Sequence, residues 1–249
     1  LALHLVPSGI AHEHAMNVIG NGTLVNPVKL VEEIQDIESK DIEVSNRNLK
    51  ISSAAHLILP SHISEDEIRE AGETSQGSTK SGIAQVASFK ALRIGARAEV
   101  IKNSPDELID IIIAGLCAQR QIRKELDLPR INETEVAREY IESALKIGSF
   151  ITDTTFYLNS ELRKEKPARV LAEGAQAFLL DIDHGMYPYT TSSSTTTGGV
   201  CTGLGIAPSF IEGVTGVAKA VQSHVGGGPF VTEITDSETL SRLHGDMST

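Results

Sequence analysis

The stretch richest in chemical possibility runs from Glu173 to Gly199. It opens on Glu173-Gly174-Ala175-Gln176, directly after Arg169-Val170-Leu171-Ala172, which reads as a short strand. A glycine at a strand end lets backbone approach a ligand closely, and Gln176 carries both a donor and an acceptor for a base edge or a phosphate. Then follow Leu179-Leu180-Asp181-Ile182-Asp183-His184-Gly185, Tyr187-Pro188-Tyr189 and eight consecutive hydroxyl residues, Thr190 to Thr197, closed by Gly198-Gly199. Thr191 and its neighbours supply hydroxyl and amide donors of the kind that hold a phosphate without added charge. A solvated Ser/Thr-rich surface loop is the competing reading of the same residues.

A second stretch, Gln76-Gly77-Ser78-Thr79-Lys80-Ser81-Gly82, sets small residues around a lysine. The Walker order puts Lys and Ser/Thr after the second glycine, whereas Lys80 precedes Gly82. A triphosphate loop is excluded on that ground; a monophosphate loop or a flexible solvated one remains. Lys90, Arg93 and Arg97 follow at intervals of three and four. On a helix this puts the three cations on one face, either solvated or capturing phosphate. His12-Glu13-His14 and Asp181-x-Asp183-His184 gather possible metal ligands, but neither spacing is a zinc pattern, and His12 and His14 diverge on a strand. No metal ligand is assigned to the chain. There is no Gly-x-Ser-x-Gly elbow, and neither Cys117 nor Cys201 has a neighbour to activate it. Val225-Gly226-Gly227-Gly228-Pro229-Phe230 is a glycine turn that either lines a base or is purely structural.

The elements that must position these residues are legible from caps and periodicity. Asn26-Pro27 predicts a helix start, with Val28, Leu30, Val31, Ile34 and Ile37 at near-helical spacing. Ser64 with Glu67 predicts a capping box on a short acidic helix, and Ser104-Pro105-Asp106-Glu107 a second one ahead of the stripe Leu108, Ile109, Ile112, Ile113 and Leu116. Asn132 with Glu135 opens another helix, carrying Val136, Tyr140, Ile141, Ala144 and Leu145. His56-Leu57-Ile58-Leu59 reads as a buried strand ended by Pro60, and the β-branched run Ile211 to Val221 as containing a strand. Strands interleaved with helices predict an α/β fold with a mostly parallel sheet flanked by helices. With neither repeat nor linker, residues 1–249 read as one domain.

Composition narrows the partners. The 249 residues hold 22 Lys+Arg against 33 Asp+Glu, a net charge of −11 that argues against nucleic acid, whose backbone demands a basic surface. At 40% hydrophobic and 22% charged, with no Trp, the chain is an ordinary globular one. Two cysteines suit a reducing cytoplasm. No apolar run reaches the roughly 18 residues of a membrane span, and no leader opens the chain. The first residue is Leu1, and the end, Asp246-Met247-Ser248-Thr249, has no terminating element, so the chain is expected to be the central portion of a longer protein.

In order, His4-Leu5-Val6-Pro7-Ser8-Gly9-Ile10, Ile19-Gly20-Asn21-Gly22, the strand before Pro60, Gly77-Ser78-Thr79 and Ile151-Thr152-Asp153-Thr154 resemble the adenylosuccinate synthetase family. The likeness continues through Glu173-Gly174-Ala175-Gln176, Leu180 to Gly185, Tyr187-Pro188-Tyr189, Cys201-Thr202-Gly203-Leu204-Gly205-Ile206 and Gly228-Pro229-Phe230 with Thr232-Glu233. It spans almost the whole chain and is most specific over Glu173 to Ile206.

The resemblance implies a P-loop-NTPase-like sheet of the synthetase type, incomplete in this chain. It implies GTP-dependent ligation of aspartate to IMP in AMP biosynthesis, through a 6-phosphoryl-IMP intermediate and with Mg2+. It places Gln176 at IMP, Thr191 and Thr79 at its phosphate, and Arg93 in the IMP site of a neighbouring subunit. The implied assembly is a homodimer, with Arg97 and Asp183 as further interface residues. The family's Gly-Asp-Glu-Gly-Lys-Gly-Lys loop and Gly-His-Thr motif, with the catalytic Asp and His, are expected before Leu1. Its Gly-Thr-Thr-Thr-Gly-Arg and Lys-x-Asp motifs are expected after Thr249, so no catalytic residue lies in this chain, which by itself is expected to be inactive. Ala177-Phe178 replace the family's Gly-Thr, Lys80-Ser81 its Gly-Arg, and His224 stands where an arginine is common. These departures leave room for a related synthetase acting on a guanine nucleotide, and a non-catalytic purine-monophosphate-binding protein is the reading from another class.

Overall fold

The structure is a computed structural model that describes residues 2–72, 79–222, 228–230 and 232–244. After a 3-10 turn at Ser8–Ala11 the chain forms β1 (Asn17–Ile19), β2 (Leu24–Val25) and α1 (Pro27–Glu38). The start of α1 is as its sequence demands: Asn26 Oδ1 accepts from the amides of Val28 (3.1 Å) and Lys29 (3.3 Å), and Pro27 takes the first position. Leu30, Ile34 and Ile37 then bury one face.

Next come β3 (Leu49–Ser52) and β4 (His56–Leu57), each parallel to an earlier strand. Ile19 lies opposite Ile51, and Leu24 opposite His56. Parallel pairing requires a crossover, and α1 supplies it. Leu49 and Ile51 are fully buried, as the centre of a parallel sheet requires.

Strand β4 stops at Leu57, two residues short of the predicted end, and Pro60 opens α2 (Pro60–Ala71), which corrects the reading of Ser64 as a cap. The side chain that closes the first turn is His62, whose Nδ1 accepts from the Leu59 amide at 3.0 Å. Ser64 sits inside the helix and is buried. Its Oγ accepts from Arg123 Nη1 at 2.9 Å, and Glu67 takes the same nitrogen at 2.7 Å.

There follow α3 (Ile83–Leu92), α4 (Val100–Asn103), α5 (Pro105–Glu125), α6 (Glu133–Ile147), β5 (Ile151–Thr152) and α7 (Thr154–Leu162). Helix α5 begins at Pro105 as predicted, but Ser104 makes no side-chain cap; the proline and the acids Asp106 and Glu107 mark the start instead. Asn132 does cap α6, accepting from the Glu135 amide. Of the predicted α6 stripe, Tyr140, Ile141 and Ala144 are buried while Leu145 is 54% exposed. Strand β5 completes the three-stranded order β1-β3-β5 with Ile151 opposite Ile51, and the pair β2-β4 forms a second parallel sheet. The core lies between these sheets and α1, α5 and α6.

The last third is mostly irregular, with α8 (Thr197–Leu204) and α9 (Ser237–His244) as its helices. Two predicted strands are not formed. Arg169–Ala172 and Ile211–Val221 carry no ladder, and Leu171 is 84% and Val217 96% exposed. β-branched residues supply propensity but not a partner, and without a neighbouring edge an extended segment stays a single extended segment. No helix among the described residues is long and apolar enough to cross a membrane.

Candidate functional site

Two of the motifs quoted from the sequence, residues 19–22 and 201–206, meet at α8. The glycine turn after β1 docks on its end: the Gly22 amide donates to Gly203 O at 2.8 Å and Asn21 Nδ2 to Thr202 O at 2.9 Å. The contact is backbone on backbone, and a Cβ on Gly22 would lie 2.6 Å from Gly203 Cα. On the other side Asn159 of α7 donates to Gly205 O at 2.9 Å. The Ser8 amide and hydroxyl both donate to the Glu173 carboxylate, tying the amino-terminal turn to the start of the Gln176 segment.

The segment from Ala177 to Thr196 is a knot tied by one carboxylate. Asp181 is fully buried; its Oδ1 accepts from the amides of Asp183 (2.9 Å) and His184 (3.0 Å), and its Oδ2 from that of Thr195 (2.7 Å). Burial alone would raise this carboxyl, but the three amides and the Ser194 hydroxyl outweigh it and hold it below the usual carboxylate range. The backbone adds Thr191 N–H to Leu180 O at 2.8 Å and Ile182 N–H to Ser193 O at 3.3 Å. With both oxygens engaged by amides, Asp181 is a structural acceptor and not a free ligand. Among the described residues no group of three or more His, Cys, Asp or Glu is placed to hold a metal.

Two predicted site residues flank this knot. Gln176 is exposed, in a left-handed backbone conformation (φ 62°) at the entry, and Thr191 is half-buried on the returning strand of the loop. Asp183 is exposed on the tight turn. Beside Gln176, the ring of Phe178 is 60% exposed and lies parallel to His184, centroids 6.4 Å apart.

The remaining predicted residues cluster at the ends of α3. Thr79 is exposed, with Oγ1 2.9 Å from Ser81 Oγ, and the chain enters the helix through Gly82 (φ 73°), whose amide donates to Asp66 at 2.9 Å. Gln76, Gly77 and Ser78 lie outside the described residues, as do His224, Val225, Gly226 and Gly227. At the far end Arg93 is exposed in a left-handed cap (φ 65°) between Leu92 and Ile94, themselves 60% and 64% exposed.

That cap corrects the reading of Lys90, Arg93 and Arg97 as one helical face. The helix stops at Leu92, and Arg97 lies in an antiparallel bridge opposite His56. Lys90 and Arg97 still share a neighbourhood. Burial first, then the charges of both, lower His56 to about 4. Among the described residues no hydrogen bond joins Thr79 or Arg93 to Gln176 or Thr191, so this chain presents two separate clusters.

Sequence reasoning missed the acids behind these loops. Asp181 was weighed only as a possible metal ligand, yet an Asp two residues before another polar residue in a loop is the signal of a side chain bonding its own backbone two residues on. Asp66 and Glu33, whose carboxylate takes the amides of His4, Leu5 and Val6, gave no such signal, because their partners are distant in sequence.

Comparison with known proteins extends the picture. The adenylosuccinate synthetase family model matches residues 1–247. The adenylosuccinate synthetase of Chlorobium limicola is 42% identical over 248 residues, covering 98% of this chain and 56% of that protein. That of Enterococcus faecalis is 42% identical over 253 residues, covering 99% and 57%. The fully ligated adenylosuccinate synthetase structure from Plasmodium falciparum aligns with TM-score 0.81 at 32% identity, over 98% of this chain and 56% of that one. The chain thus spans about half the length of the relatives it matches. With helices on parallel sheets in the arrangement of that structure, and nearly every residue inside the family match, the chain belongs to the adenylosuccinate synthetase family.

Proposed function

We propose that the protein carrying this chain joins aspartate to IMP at the expense of GTP, giving adenylosuccinate on the route to AMP by way of 6-phosphoryl-IMP. The observation that carries the reading is the unbroken family match over residues 1–247. A carbonyl oxygen leaves poorly until it is phosphorylated, which is the chemical reason such a ligation consumes a nucleoside triphosphate. In this reading residues 1–249 form one domain supplying much of the IMP site and the dimer surface. Gln176 contacts IMP from one side of the knot, while Thr191 and Thr79 hold its phosphate through their hydroxyls, the Thr191 amide being engaged by Leu180 O. Arg93 reaches the IMP site of a second copy, with Arg97 and Asp183 beside it.

Magnesium would neutralise charge on the transferred phosphoryl group. The described residues do not fit it, since Asp181 is committed to backbone amides, so its ligands are assigned outside this chain together with the catalytic groups and the GTP and aspartate sites. The chain alone is then inactive, and a cytoplasmic location agrees with its two free cysteines.

A second reading, with a guanine nucleotide as substrate, rests on the departures Ala177-Phe178, which put an exposed ring two residues from Gln176, and Lys80-Ser81. The test is to express the complete protein and supply GTP, aspartate and Mg2+ with either IMP or dGMP. Adenylosuccinate formed from IMP supports the first reading, and turnover of dGMP in its place supports the second. Binding of a purine monophosphate without turnover by the complete protein would leave a non-catalytic binding protein. Turnover by residues 1–249 alone would refute the assignment of catalysis to other parts of the polypeptide. In the complete protein Arg93→Ala is expected to weaken IMP binding about tenfold, the loss of a charge-assisted contact; an unchanged affinity removes Arg93 from the site.

A further inference from the structure

We infer that Asp181 is a positioning residue for purine-monophosphate binding, holding Gln176 and Thr191 at a fixed separation by clamping both arms of the loop that carries them. The inference rests on the reading of Gln176 and Thr191 given above and adds a residue that touches no ligand.

The loop from Ala177 to Thr196 has little regular structure of its own, one 3-10 turn at Phe178–Leu180 and otherwise turns and bends. Its outgoing arm follows Gln176, and its returning arm holds Thr191 and the hydroxyl run. Between the arms lies one fully buried side chain. Oδ1 of Asp181 faces the turn and takes the Asp183 and His184 amides; Oδ2 faces the returning arm and takes the Thr195 amide. Three amides arriving from two sides, with the Ser194 hydroxyl beside them, need an acceptor at both ends of one short group, and an ionised carboxylate is the side chain that offers it. One backbone bond and one side-chain bond beside it join the same two arms. Leu180 O receives Thr191 N–H at 2.8 Å, and Ala177 O receives Thr195 Oγ1 at 3.2 Å. Ala177 is the residue next to Gln176. Loosening the clamp therefore frees the segment carrying Gln176 and the one carrying Thr191 from each other, while the sheets and the α5–α6 core lie elsewhere.

The discriminating change is Asp181→Asn. The amide keeps size and one oxygen but turns a donor toward amides on one side, breaking the clamp without removing the side chain. Thr195→Ala is the graded comparison, since it keeps the gripped amide and loses only the weaker, uncharged part of the clamp, the bond to Ala177 O. In the complete protein, Asp181→Asn is expected to weaken IMP binding by about tenfold, the scale of one charge-assisted hydrogen bond. The KM for GTP and kcat should stay within about twofold of wild type, and Thr195→Ala should change IMP affinity by less than about threefold. An unchanged IMP affinity in Asp181→Asn overturns the inference. So does a parallel rise in every KM together with lost thermal stability, which makes Asp181 a general structural residue.

Amide hydrogen exchange on the wild type gives a test that needs no variant. IMP should slow exchange at His184 and Thr195, and no change there overturns the inference as well. A wild type that binds no IMP fails differently, by refuting the reading of Gln176 and Thr191 on which the inference stands.

Discussion

Replacing Gly22 by alanine should separate the β1–β2 turn from α8, and its cost can be worked from the contact. The added Cβ would lie 2.6 Å from Gly203 Cα, a backbone atom with no rotamer to change, where carbon atoms ordinarily sit about 3.5–4 Å apart. The two backbones must therefore part by about 1 Å, or the turn must strain. Overpacking of this kind costs about 1–3 kcal/mol. Relief by parting stretches the 2.8 Å bond to Gly203 O and the 2.9 Å bond to Thr202 O, worth about 0.5–1.5 kcal/mol each. Strain and lost bonds are alternative forms of relief, so the total expected is about 2 kcal/mol, the middle of either range. The control sits across the contact in α8, at Gly198, where the nearest atom to a Cβ is Thr196 Oγ1 at 3.6 Å. Gly198→Ala should be neutral or stabilise by up to about 1 kcal/mol through helix propensity. Urea unfolding reads both: with a slope of about 2–3 kcal/mol/M, Gly22→Ala lowers the midpoint by about 1 M. If the two glycines behave alike, the close approach of the turn to α8 is wrong and so is the convergence of motifs built on it.

Arg123 is 6% exposed and divides its guanidinium between Pro129 O on one side and Ser64 and Glu67 on the other. Lysine cannot reach both, so Arg123→Lys should cost about 2–3 kcal/mol in urea unfolding despite keeping the charge, and an unchanged midpoint would contradict this division. Burial lowers His62 to about 4 against 6.5 for the free side chain. Between those values the unfolded chain binds a proton that the folded one refuses, so stability falls as pH drops from 6.5 toward 4 and is flat in this respect above 6.5. The slope from one such group is at most about 1.4 kcal/mol per pH unit. Because glutamine at the same position can still accept the Leu59 amide, His62→Gln should remove that slope while keeping the helix start, and unfolding measured across the window would show whether it does.

What the sequence made legible followed from local signals. Asn26-Pro27 and Asn132 carried their own caps, and Leu108, Ile112 and Leu116 their own stripe, so the helices around the core were readable within a few residues. Illegible were features decided by a distant partner. Ser64 looked like a cap until Arg123, 59 residues on, claimed its hydroxyl. The interval from Lys90 to Arg97 looked helical, but the backbone of that segment is recruited elsewhere, with Ala96 O accepting the Leu57 amide at 2.9 Å. Val170, Leu171 and Val217 had strand chemistry and no edge to join. For the site, residue type pointed to Gln176 and Thr191; a third side chain, Asp181, carried the local signal of a bond to backbone two residues on, but nothing local said that it would also take the Thr195 amide from the returning arm.

That third side chain belongs to a wider pattern that gives part of the net charge of −11 a structural use. Glu33 holds the amides of His4, Leu5 and Val6, Asp66 the amide of Gly82, Glu173 the amide and hydroxyl of Ser8, and Asp181 the amides of Asp183, His184 and Thr195. Each partner lies in an irregular segment, three of them beside a candidate site residue or a family motif. Loops that offer amides and hydroxyls to an anionic ligand cannot spend those donors on ladder bonds, and their rear amides still need acceptors. A carboxylate satisfies up to three of them from one position and orders the loop without occupying its front. The arrangement carries a cost in charge, since an acid behind a phosphate-binding loop repels the phosphate in front of it. Convergent amide dipoles offset much of that repulsion, and a cation arriving from outside the loop would offset more. In the function proposed above, the exposed Arg93, standing apart from the Asp181 knot, would be the cation arriving from a second copy, an electrostatic reason for sharing the site between two subunits.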